Sequence, residues 1–386
     1  MSEYQYYEFL AIDRPLSERE IEQVREYSTR AEITSTRFVN EYHWGDFRGD
    51  PYKFLGKWFD VMVYYANWGT HRLMMRVPAD ALDGALVKRY CAADSAHMKS
   101  AGDNLILDLE VNQEEQWEYE EADTYTSSLV PVRSALLAGD YRPLYLGWLA
   151  CVQSHDLAER DAEPPVPPGL AMRSGSLKAL ADFLWIDQDL LAAAAQASGP
   201  AETAGDEGFG DWLAGLPQAE KDRLLLKFTQ DPDVHLTGKL RRRYRDTTGR
   251  TPGLRQTGRT VGELLRAAEE LRAEREKEEA KRKAEERARR EAKAARERAE
   301  HLASLAGRGD ASWEDVNRLV EAKQSKSYAE AVTLLKDLQE IAINAGAVAD
   351  FRSRVAAICR EHARRVNFVG QVRQAGLLPD PPRGSA

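Results

Sequence analysis

Three cysteines, Cys91, Cys151 and Cys359, are scattered through 386 residues. They form no disulfide framework and no CxxC metal spacing, which points to a reducing cytosol. No stretch approaches the roughly 18 apolar residues of a membrane span. The Met1–Tyr7 opening lacks a basic region followed by an apolar run, so no signal peptide is visible. The expectation is a cytoplasmic protein with no membrane partner. The P-loop, the dinucleotide-binding glycine fingerprint, the nucleophile elbow and HExxH are all missing, and nothing implies a cofactor. A net charge of −9 argues against nucleic-acid coating by the whole surface. Aromatic residues are scarce at the back: only Trp313, Tyr328, Phe351 and Phe368 follow position 248, whereas 16 of the 33 lie before position 69. The front therefore has material for a bulky core, and the back for small-residue helical packing.

What the chain does have is a run of Ala, Glu, Lys and Arg from Arg266 to Glu300, with 11 acidic and 13 basic side chains. After Leu271 no large apolar residue appears until Leu302. Helix propensity is high throughout, and Glu278–Arg282, Glu279–Lys283, Glu285–Arg289 and Glu286–Arg290 are spaced for i,i+4 pairs worth about 0.2–0.5 kcal/mol each. A helix of about 40 residues would extend roughly 60 Å. Ala273, Ala280, Ala284, Ala288, Ala292, Ala295 and Ala299 share one face. The run is either a solvated single helix or an alanine coiled coil, with little area to bury in the second case.

Around this run the chain divides into an aromatic-rich α+β domain over 1–160, a Pro-rich linker over 161–173 and a small helical module over 174–247. A basic flexible linker over 248–261, the long helix over 262–306, a three-helix bundle over 311–378 and a disordered tail over 379–386 follow. In the front, Tyr4–Ile12, Arg37–Trp44, His71–Val77 and Asn104–Val111 read as strands, and Ser17–Glu20 is a capping box. Strand–helix–strand alternation suggests an α+β sandwich, with a ferredoxin-like variant as one form of it. In the back, Val316 and Val320, then Tyr328, Leu335 and Leu338, then Phe351, Val355, Ile358 and Val366 or Phe368 supply three helical faces.

Three patches invite chemistry. Asp103–Asp123 holds nine carboxylates and no base. Asp108 and Glu110 alternate on one strand face, as a Mg²⁺-dependent hydrolase requires, although Asn112 stands where a restriction-type site places Lys. Charge protecting a strand edge explains the same residues. His43, Asp46, Asp50 and His71 have no fixed metal spacing and fit core or loop roles better. The third patch reverses the charge: Lys239, Arg241, Arg242, Arg243, Arg245, Arg250, Arg255 and Arg259 stand against only Asp246. Guanidinium groups suit phosphates, so nucleic acid is one partner class and an acidic protein surface the other.

Tyr4–Phe9, Val39–Asp46 and Tyr65–Thr70 resemble an uncharacterised family of bacterial hypothetical proteins. The pattern Trp313, Lys323, Tyr328–Val332 and Leu338 is similar to C-terminal helical segments of bacterial SWIM-type zinc-finger proteins. The Cys and His ligands of that finger are absent, so zinc binding does not carry over. The second resemblance implies an association with nucleic-acid machinery, and neither implies a reaction. The sequence as a whole points to a non-catalytic cytoplasmic adaptor joining protein partners across the charged helix. A nucleic-acid-binding subunit using residues 239–259 is the alternative, and a metal-dependent hydrolase using Asp108 and Glu110 the third.

Overall fold

The structure, a computed structural model, describes residues 3–113, 123–171, 175–200, 208–230, 235–249 and 253–378. Its strands are β1 (Gln5–Leu10), β2 (Glu32–Ile33), β3 (Arg37–Tyr42), β4 (Val61–Ala66), β5 (Thr70–Pro78), β6 (Ala96–Ala101) and β7 (Asn104–Asn112). Helices α1 (Glu18–Arg25), α2 (Pro51–Trp58) and α3 (Gly84–Tyr90) lie between strands. After β7 come α4 (Asp123–Leu137), α5 (Arg142–Gln153), α6 (Gly175–Phe183), α7 (Gln188–Ala197), α8 (Phe209–Gly215), α9 (Gln218–Gln230) and α10 (Leu236–Thr248). The chain ends with α11 (Val261–Gly307), α12 (Asp310–Glu321), α13 (Ser325–Asn344), α14 (Val348–Glu361) and α15 (Val366–Gln374). Two compact units result, Met1–Arg275 and Glu276–Ala386. Among the described residues no helix is long and apolar enough to cross a membrane. Residues 379–386, expected as a tail, lie outside the described residues.

In the first unit the strands form one sheet in the order β2-β3-β1-β4-β5-β7-β6, every neighbouring pair antiparallel. Alternation sends successive side chains to opposite faces. On β7, Leu105, Leu107, Leu109 and Val111 join the core under the helices, while Ile106 turns to an aromatic cluster with Phe9, Phe38, Phe54 and Phe59. Gly147 of α5 permits the close helix–sheet approach, because a Cβ there would stand 2.5 Å from Leu109 Cδ2. On the other face, the Asp50 side chain accepts hydrogen bonds from the Tyr52 and Lys53 amides, so α2 starts over the sheet.

The Pro-rich run, expected as a linker, is buried in this unit. Val166 exchanges backbone hydrogen bonds with Arg255 at 2.8 and 3.0 Å, and the Glu163 amide donates to Arg259 O. The Glu163 carboxylate has no exposed surface; Arg259 grips it through Nε (3.0 Å) and Nη2 (2.7 Å), and Thr257 and Tyr145 donate hydroxyls. A buried carboxylate needs this full complement of donors. Directly after it, Thr260 and Glu263 form a reciprocal capping box that starts α11. Val261, Leu264 and Ala268 are buried in the unit's core, and Arg275 closes on Asp189 at 2.8 Å. Hydrogen bonding by Arg275 holds the Asp189 carboxyl below its usual range.

From Glu276 to Glu297 nearly every side chain of α11 is exposed, the helix-face alanines included. Glu286–Arg290 pairs at 2.8 Å as its spacing predicts, and Arg287–Glu291 and Arg296–Glu300 form the reverse orientation. In the second unit, Arg298 and His301 close on Asp337 at 2.7 and 2.9 Å. Helices α12 to α15 bury one core of Val316, Val320, Leu335, Phe351, Val355 and Phe368. Phe368 rather than Val366 takes the last core position; Val366 is exposed.

Replacing Glu163 with Ala strands the Arg259 charge and is expected to cost about 3–5 kcal/mol, read as a lower urea midpoint at unchanged slope. Burial alone would raise the Asp337 value, but hydrogen bonds from His301 and Arg298 outweigh it and leave it lowered. Its contribution is therefore present above the unfolded carboxylate value of about 3.9 and lost as pH falls through the lower folded value. Urea unfolding from neutral to acid pH should show this loss, and Asp337→Asn should flatten it.

Candidate functional site

The face of the sheet under α2 carries a polar row set by strand register. Tyr7 pairs with Tyr64, Tyr64 with Arg72, and Arg72 with Glu110. Asp108, two residues before Glu110 on the same face, pairs with His97. Asp108 and Glu110 thus share a face, as their alternation predicts. Arg72 lies across both: its Nε and Nη2 reach Asp108 Oδ1 and Oδ2 at 2.9 and 2.6 Å, and its Nε stands 3.2 Å from Glu110 Oε2. Asp108 has no exposed surface, and the Tyr52 hydroxyl donates to its Oδ2 while also meeting His97 Nε2.

The electrostatics follow from this packing. Burial would lower the Arg72 value, yet the hydrogen bond and charge of Asp108 leave it raised, so the cation is permanent. Burial, then the hydrogen bond to Asp108, push the Tyr52 phenol far above its ordinary range, so it serves as a donor. Burial pushes the thiols of Cys91 and Cys151 up to about 12, far from the lowered values of reactive cysteines. The bidentate guanidinium occupies the lone-pair directions a metal ion would need. Among the described residues no three His, Cys, Asp or Glu side chains are grouped to hold a metal. His43, Asp46, Asp50 and His71 are dispersed. His43 is exposed beside Tyr4, Asp46 accepts from the Tyr7 hydroxyl, and Asp50 caps α2. His71 is buried on the opposite face against the Phe183 ring and carbonyl.

The basic patch is built into the first unit. Lys239 meets Asp80 at 3.2 Å, Arg242 donates to Ala79 O at 3.2 Å, and Arg243 pairs with Glu220. Arg245 lies against Gly139, Arg241 is half-buried, and Arg259 is held by Glu163. The Arg255 side chain is exposed, and Arg250 lies outside the described residues. Three of the groups meeting at Asp108, namely Tyr52, Arg72 and His97, escaped the sequence reading. The signal for Arg72 was a cation two residues from Met74 and four from Arg76, which places both arginines on one face of a strand whose other face carries Leu73, Met75 and Val77.

No family model matches the chain, and no match is found among curated proteins or solved structures.

Arg72 predicts that Mg²⁺ and Mn²⁺ give no Asp108-dependent heat in titration calorimetry. A binding heat abolished by Asp108→Asn would contradict this.

Proposed function

We propose that this protein is a non-catalytic cytoplasmic adaptor, each unit binding one component and α11 linking the two. The observation that carries this reading is the stretch Glu276–Glu297, a helix with charged and alanine side chains exposed around its circumference. Such a segment buries nothing within the chain, and its i,i+4 pairs favour helix without a core. The buried carboxylates Asp189 and Asp337 each engage a cation of the helix within their own unit, which supports the reading that both units hold an end of it.

The ion pairs of Lys239, Arg243 and Arg259 support this reading over nucleic-acid binding. An acid already beside each cation competes with a phosphate for it, which offsets part of the counterion-release gain. The guanidinium across Asp108 and Glu110 likewise counts against a metal-dependent hydrolase. The exposed alanines leave room for a second helix beside α11, and a dimeric adaptor is compatible with the same function.

Ala288→Pro breaks the exposed helix at a cost of about 3 kcal/mol to that element. Proteins captured by the tagged full chain through each unit should still bind the variant singly. Recovery of both in one complex, measured by sequential affinity capture, should fall. Unchanged co-recovery, or capture of nucleic acid in place of protein at low salt, would contradict the proposal.

A further inference from the structure

We infer that the free edge of β6 is a docking site for an extended acidic segment of a protein partner, which would extend the sheet by one strand. β6 ends the strand order and pairs on one side only, with β7. In an antiparallel ladder alternate residues turn their backbone groups toward and away from the neighbouring strand. The outward groups of Ala96 are taken up by Ala93, in two hydrogen bonds of 3.2 and 3.3 Å. By alternation the next outward residues are Met98 and Ser100. Among the described residues neither makes a backbone hydrogen bond on that side. Ser100 is exposed and Met98 half-buried. Two N–H and two C=O groups therefore face outward along an edge of the kind that extended peptides complete.

The side chains define the occupant. His97 and Lys99 lie on one face of β6, with Lys99 exposed and His97 40% exposed in its side chain. Asp108 behind them is compensated by Arg72, and Asp94 and Asp103 lie beyond the two ends of the strand. A strand added here sets its side chains about 4.5–5.5 Å from their opposite numbers. A carboxylate opposite Lys99 then complements its charge, one opposite His97 meets the exposed part of the imidazole, and the residue between them meets Met98. The segment so defined alternates acidic and apolar residues. A second copy of β6 is the poorer occupant: using Met98 and Ser100 together sets Lys99 opposite the same lysine of its copy, and like charges there destabilise.

This inference rests on the sheet of the first unit and not on α11, so the outcome for Ala288→Pro leaves it untouched. The probe is the acetylated, amidated pentapeptide Glu-Val-Glu-Val-Glu, titrated against the full chain with hydrogen exchange as readout. Its Lys-Val-Lys-Val-Lys counterpart is the control. The acidic peptide should slow exchange at Met98 and Ser100, and the basic one should not. Ser100→Pro removes an outward donor without touching the β7 ladder, and should weaken acidic-peptide binding about two- to tenfold. Lys99→Glu should reverse the preference between peptides. Protection elsewhere, unchanged affinity in Ser100→Pro, or unchanged preference in Lys99→Glu would overturn the inference. So would edge protection that rises with protein concentration alone, since a second copy would then occupy the site.

Discussion

Asp189 and Asp337 bind the two ends of the exposed part of α11 in the same way. Each is a nearly buried carboxylate that receives arginine from the helix, Arg275 with Arg272 in one case and Arg298 in the other. A carboxylate removed from water is costly unless donors replace the solvent, so each aspartate fixes the cations that satisfy it. The charged run therefore needs no apolar seam of its own. Its first turns are held by Val261, Leu264 and Ala268, and its last by Leu302 and Leu305. Glu163 extends the same logic backwards: its grip on Arg259 sets the chain one residue before the Thr260 cap.

This economy of charge governs the rest of the first unit. Many of its cations are spent on internal acids. Arg72 covers Asp108 and Glu110, Arg76 and Arg133 cover Asp60 and Asp13, and Lys239 reaches Asp80. Asp108 and Glu110, and Lys239, Arg243 and Arg259 of the basic patch, are each one half of an ion pair whose other half lies elsewhere in the sequence. The surfaces proposed for partners are accordingly backbone and periphery: the open side of β6, and the exposed helix.

Local signals explain what could be read beforehand. The Ser17 capping box, the alternation of Asp108 with Glu110, the α+β character of the front and the long helix all depend on neighbours a few residues away. Residues far apart in sequence were hidden. Glu163 meets Arg259 only because the proline-rich run pairs with residues 255–260, and prolines spaced like a linker carry no mark of that contact. The strand order was equally hidden, since β1 pairs between β3 and β4, which follow it by some 30 and 55 residues. The choice of Phe368 over Val366 in the last core position was open because both lie in one short helix and the phase was set by α13.

The continuity of α11 through its solvated stretch is the claim on which the adaptor reading stands. Spin labels placed by Lys277→Cys and Arg296→Cys, with Cys91, Cys151 and Cys359 replaced by Ala, measure it by dipolar spectroscopy. A helix unbroken over this span predicts a single narrow backbone separation of about 28 Å, widened only by the label arms. A broad distribution, or a shorter mean that moves with salt, would show that the charged run is a flexible tether and would contradict the account.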